Sequence, residues 1–170
     1  MKKTIALILF ALVFKISSAQ TNEIKVDVLD ILALLALDVT FEHQINEESS
    51  IGISALFNFA KPDTSFRYNE EFVLTPYFRQ VLFTRGSIGY FGEFFGAINT
   101  GDLELSDAHK LAGKSDSYTD FALGLGFGGK YVSNNGFVAD MHIGIGRNLF
   151  NTGNSPDVVP RVGISIGKQF

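Results

Sequence analysis

The sequence predicts an all-β fold, an eight-stranded antiparallel up-and-down transmembrane β-barrel. Three observations carry this expectation. Apolar residues alternate with small or charged ones through most of the chain after residue 20, the period of strands with two unlike faces. Tight and long polar connections take turns between those runs, as the short turns and longer loops of membrane barrels do. The composition pairs 17 Phe with 17 Gly and has no Trp, a mixture of β-forming rings and small residues that suits a narrow barrel.

The elements can be justified in chain order. Residues 1–19 read as a signal peptide: Lys2 and Lys3 precede the apolar run 5–14, and Ser17, Ser18 and Ala19 form a small-residue cleavage site before Gln20. An uncleaved anchor is the competing reading, but ten apolar residues ended by Lys15 fall short of the roughly twenty that a spanning helix needs. Residues 20–170 then form one domain. With no cysteine, the chain has neither a disulfide framework nor a thiolate site. The net charge is −4 and the leader holds three of the lysines, so the exported chain is more acidic still and nucleic acid is excluded as a partner.

Residues 24–45 are read as an outward and a returning strand. Ile24, Val26 and Val28 oppose Lys25 and Asp27, and Leu37, Val39 and Phe41 oppose Asp38, Thr40 and Glu42. A single strand of this length would stretch about 70 Å, more than twice what a membrane requires. The reversal falls near DILALLAL, which has no Gly or Pro; a short helical turn there is the alternative. Six further strands follow. Ile53, Ala55, Phe57 and Phe59 share a face opposite Gly52, Ser54 and Asn58; Leu123, Leu125, Phe127 and Tyr131 lie opposite Gly124, Gly126, Gly128 and Lys130. Ala139, Met141, Ile143 and Ile145 lie opposite Asp140, His142, Gly144 and Gly146, and Val162, Ile164 and Ile166 lie opposite Arg161, Gly163, Ser165 and Gly167. The tight turns are NEES at 46–49, TRGS at 84–87 and NNG at 134–136; the long connections are 61–69, 100–118 and 151–158.

A soluble lipocalin-like carrier would use the same alternation with its apolar face inward. Its outer face would then be mostly glycine over 121–131 and 137–147, which weakens an exposed strand for no gain. In an eight-stranded lumen, small residues are needed because the interior admits few side chains. The apolar face is therefore expected to meet lipid, with Phe57, Phe59, Phe78, Tyr90, Phe94, Phe127, Tyr131, Phe137 and Phe170 on it. Alternation assigns Lys25, Arg79, Lys130 and Arg161 to the lumen against Asp27, Asp38, Glu42, Glu93 and Asp140, with His142 beside them. Four cations facing five carboxylates predict a plug of paired charges rather than an ion pore.

The terminal segment RVGISIGKQF, with Val162, Ile164 and Ile166 alternating up to Phe170, resembles the C-terminal assembly signal of outer-membrane barrels; Lys168 departs from the usual apolar residue there. With LTPYFRQVLFTRGSIGYFGEFFG at 74–96, residues 20–170 resemble the small barrels of Bacteroidota, similar to the outer-membrane-protein-A/X type and in many cases a domain of unknown function. The resemblance implies the outer membrane of a Gram-negative cell, contact with its lipid and with the barrel-assembly machinery, and a structural, adhesive or surface-binding role. A ligand would be met through the loop at 100–118.

Chemistry is weakly signalled. An acyl hydrolase or acyltransferase acting on membrane lipid is the enzymatic alternative, and it needs Ser106, Ser117 or Ser133 within reach of His142 and an acid. His142 reads as a hydrogen-bonded lumenal residue, and His43 as an interfacial one. His109, with Asp102, Glu104, Asp107 and Asp116, matches no defined cation loop. GLGFGG at 124–129 lies on a strand with no helix after it and is no nucleotide fingerprint. No cofactor or metal is expected.

Overall fold

The structure, a computed structural model, describes residues 22–59, 70–102, 117–150 and 155–170; the leader 1–19 lies outside them. Eight strands follow one another: β1 (Asn22–Asp27), β2 (Ala36–Gln44), β3 (Ser49–Asn58), β4 (Glu70–Arg85), β5 (Ile88–Asp102), β6 (Ser117–Val132), β7 (Phe137–Asn148) and β8 (Val158–Gln169). Each pairs antiparallel with its sequence neighbours, and β8 returns to β1 to close the barrel. Beyond the last ladder pair, Asn22 and Phe170 exchange backbone hydrogen bonds of 2.9 and 2.8 Å. Closure leaves no open sheet edge at that seam.

The tight turns stand at one end. Asn46 caps the β2–β3 turn, its Oδ1 accepting the N–H groups of Glu48 at 2.9 Å and Ser49 at 2.8 Å. Gly86 and Gly136 carry φ of +63° and +79° in the other two, a conformation that favours glycine.

The reversal at 28–35 is made without Gly or Pro. The Asp27 carboxylate accepts the N–H groups of Leu29 and Asp30 at 2.9 and 3.2 Å, one π-helical turn spans Asp30–Leu34, and Leu35 ends it at φ 53°, ψ 36° with its N–H on the Asp30 carbonyl. Both expectations for this stretch hold together, since a helical turn is the means by which the hairpin reverses.

Sidedness follows the alternation. Leu125 and Ile143 are 67% and 63% exposed, Phe57 is exposed, and Asp140 is 4% exposed. That arrangement excludes a carrier with an apolar interior. A register shift on β4 beside Val81 and Phe83 leaves Leu82 and Phe83 both outside. Phe83 stacks on Tyr90 at 4.7 Å, and Tyr90 lies 6.3 Å from Phe127, a patch of rings toward the tight-turn end suited to a membrane interface.

The interior holds more than charges. Tyr77, Phe91 and Phe95 point inward and are buried, and the lumenal glycines are the space they occupy. A Cβ on Gly52 would stand 2.3 Å from the Tyr77 ring, one on Gly128 2.5 Å from Phe91, and one on Gly124 2.2 Å from Phe95. Toward the long-loop end, Ala36, Leu56, Val73, Ala97, Ala122 and Val159 complete a small apolar layer.

Candidate functional site: the lumenal ion network

Alternate residues of all eight strands converge below the apolar layer. Glu42, from β2, is the hub: it receives the Lys25 ammonium at 2.6 Å, the Arg79 guanidinium at 3.1 Å, the Tyr77 hydroxyl at 2.7 Å and the Ser50 hydroxyl at 2.6 Å, and Lys130 also binds it. Asp140, from β7, bridges Lys25 at 2.5 Å and Arg79 at 3.1 Å. Arg79 turns its Nε to Glu93 at 2.7 Å, and the other Glu93 oxygen takes Arg161 at 2.8 Å. Lys130 completes the lower layer on Glu23 at 3.0 Å.

These charges are almost wholly out of contact with solvent: Lys25 and Glu42 are each 1% exposed. In such surroundings an unpaired charge would cost several kcal/mol, so every cation has at least two anionic or hydroxyl partners. The Arg79 guanidinium is also sandwiched, with its central carbon 4.5 Å from the Tyr77 ring and 4.2 Å from Phe91, where the negative ring faces favour a cation.

All ten residues assigned to the lumen lie there. Lys25, Glu42, Arg79, Glu93, Lys130, Asp140 and Arg161 form the connected network; Asp27 instead serves the 28–35 turn and accepts the Ser165 hydroxyl at 3.1 Å. Asp38 stands apart, with its Oδ1 buried and unpartnered, and His142 brings Nδ1 to 3.5 Å from Asp140 Oδ1, too long for a good hydrogen bond. Val162, Ile164, Ile166 and Phe170, the residues expected to carry an assembly signal, all face outward and are exposed.

The charge balance differs from the expected four against five. Glu23, Asp30, Glu70 and Asp120 are buried as well, giving nine buried carboxylates against the same four cations among the described residues. Glu23 and Asp120 share the parity of their lumenal neighbours, a signal available in the sequence. Asp30 lies in the turn, where no alternation applies. Near the long-loop end Asn99 donates to Asn148 at 2.8 Å, Asn148 donates to the Pro156 carbonyl at 2.7 Å, and Asp120 binds Ser155.

The serines proposed for acyl chemistry are not brought to His142. His142 stands opposite Gly128 in mid-β6, whereas Ser117 begins that strand and Ser133 follows it in the β6–β7 turn, bound to Asn135 and Phe137. Ser106, His109, Glu104, Asp107 and Asp116 lie outside the described residues, and Asp102 ends β5. His43 bonds Asn22 at 2.8 Å on the outer wall. Among the described residues, no cluster of three or more metal-ligating side chains occurs.

No protein-family model matches this chain, and no curated protein matches it in sequence. Solved structures do. The attachment invasion locus protein Ail of Yersinia pestis aligns over 91% of this chain and 100% of its own at 11% identity, with a TM-score of 0.49. Neisserial surface protein A aligns over 89% of this chain and 94% of its own at 14% identity, with a TM-score of 0.52. At that identity the likeness to the Neisserial protein is one of fold, and the fold they share is the closed eight-stranded antiparallel barrel.

Proposed function

We propose that the chain is an outer-membrane barrel with a closed lumen, exported by a cleaved leader, and that its work is structural or recognitional at the cell surface. The observation that carries this is the ion network across the lumen: Lys25, Arg79, Glu42, Asp140 and Glu93 meet at salt-bridge distance from five different strands. A water column cannot pass a cross-section filled by paired charges and two inward rings. The apolar exterior supports contact with outer-membrane lipid, since 33 large hydrophobic side chains among the described residues are exposed, far beyond the patches a soluble monomer tolerates. An exported chain with its tight turns toward the periplasm puts the long connections outside. Val162, Ile164, Ile166 and Phe170 would be read by the assembly machinery during insertion.

Reconstitution into planar bilayers tests the closed lumen. No steady single-channel current is expected across the pure protein; a stable conductance of porin size would overturn the reading. Recognition is assigned to the loop at 100–118. Removing residues 104–116 is expected to leave barrel assembly and heat-modifiable gel migration intact while abolishing binding of expressing cells to host or abiotic surfaces. Unchanged binding by the deletion would move recognition to another loop.

A further inference from the structure

The barrel wall has a break where β1 stops short. The β1–β8 ladder ends at Asp27 opposite Ser165, yet β8 continues to Val158 along β7, and β2 continues past Val39 to Ala36 along β3. Residues 28–35 occupy the space between them. Among the described residues, the backbone bonds of this stretch outside its own turn run to the Asp27 carboxylate and from Phe59 to the Leu35 carbonyl; no ladder pair joins it to β8.

The break faces hydrocarbon. Ile31, Leu32 and Leu35 are exposed, and so are Val162 and Ile164 on the flanking strand. An open strand edge at that depth leaves backbone groups unsatisfied, and Pro160 in this part of β8 has no N–H to leave so. Leu35 in the left-handed region adds strain, which persists only where surrounding structure holds it and is common in segments that move.

Behind the break lies a cavity of about 40 Å³ bordered by Asp30, Asp38, His142 and Arg161, with room for roughly three water-sized groups. Asp38 is 8% exposed and its Oδ1 has no hydrogen-bond partner, nor has His142 Nδ1. Among the described residues no ion pair reaches Asp30 or Asp38: Arg161, the nearest cation bordering the cavity, is engaged by Glu93 at 2.8 Å and by the Ser54 hydroxyl at 3.2 Å. In front of the break, on the outer wall, a groove of about 600 Å³ is lined by Leu29, Tyr90, Phe127, Met141, Ile143 and Ile164, and His142 and Val162 border both spaces.

We propose that this break is a lateral binding site for a cationic amphiphile. The ammonium head enters the cavity and donates to Asp38 Oδ1 beside Asp30, and the alkyl chain passes the 28–35 turn into the outer groove. Charge selects the head: Arg161, the cation at the cavity, is already held by Glu93 and Ser54, so the two buried carboxylates attract an ammonium and repel an anionic head. The apolar groove, continuous with the lipid-facing wall, takes the tail.

The test uses the full chain in neutral maltoside micelles, titrated separately with dodecylammonium, butylammonium and dodecanoate while backbone amide resonances are followed. Dodecylammonium is expected to give saturable shifts at 29–38 and 158–164, with affinity at least tenfold weaker in Asp38→Asn. Butylammonium and dodecanoate are expected to give none there. Equal response to dodecanoate would show an unselective apolar surface, and equal response to butylammonium a route through water; either overturns the proposal, as does an unchanged affinity in Asp38→Asn. Should Asp38→Asn fail to fold, Asp30→Asn carries the same expectation, and the three-ligand comparison on the unaltered chain decides without either variant. The site rests on the membrane placement above, whose failure would show separately as a protein soluble without detergent.

Discussion

Arg79→Ala is expected to lower the stability of the barrel by about 3–5 kcal/mol, the cost of removing one partner from a buried charge network. The loss is large because Arg79 serves three carboxylates at once, Glu93 at 2.7 Å and Glu42 and Asp140 at 3.1 Å, and two rings enclose it. Its removal leaves anionic charge uncompensated in a space closed to water and opens a void between Tyr77 and Phe91. Arg79→Lys restores the charge but not the fork that reaches both Glu93 and Glu42, so an intermediate loss is expected. Arg85→Ala, at the exposed end of β4, serves as control and should change stability by less than about 0.5 kcal/mol. Urea unfolding in lipid vesicles measures all three. Equal effects of Arg79→Ala and Arg85→Ala would mean that the guanidinium is not enclosed.

Gly124→Val carries the second large effect. The first added carbon would meet Phe95 Cζ at 2.2 Å and the Gly146 backbone at 2.7 Å, so ring and backbone crowd it at once. Gly144 and Gly146 border the same ring, and a Cβ added to either would lie 3.2 Å from its Cε1 or 3.1 Å from its Cε2. Overpacking of a filled interior costs about 1–3 kcal/mol where the structure can shift; here backbone stands on the far side, and failure of the barrel to close is expected. Gly89→Ala is the contrast, with its nearest neighbour Val81 at 3.8 Å, and should be tolerated. If Phe95 is the obstacle, Phe95→Leu will recover part of the loss of Gly124→Val, a coupling that a double-mutant cycle reads directly. The check is the fraction of chain that shows heat-modifiable migration after refolding. Normal folding of Gly124→Val would place Phe95 elsewhere.

These two positions mark the limit of what alternation conveys. Gly124, Gly126 and Gly128 are legible as lumenal because they oppose Leu123, Leu125 and Phe127. What fills the room they leave is not legible. Phe91 and Phe95 stand next to Tyr90 and Phe94 in a stretch where rings occur on both faces, so composition cannot tell an inward ring from an outward one. The same holds for the charges. Parity puts Lys25 and Asp140 in the lumen, but they are 115 residues apart in sequence, and no local pattern says that they touch. Glu23 and Asp120 were open to the same parity argument, whereas Asp30 lies where the period breaks down. The reversal at 28–35 contains no glycine or proline and is held by the Asp27 carboxylate and a left-handed leucine, a solution that a reading based on glycine and proline does not anticipate.

Which face of each strand meets lipid, and how many strands there are, could be read from residue order alone, because successive Cβ atoms point to opposite sides of a strand whatever surrounds it. Partnership within the lumen was settled only when the barrel closed. The stagger between strands fixes which inward residues share a level, and that stagger accumulates over all eight pairings until the β1–β8 seam closes it, joining residues at opposite ends of the chain.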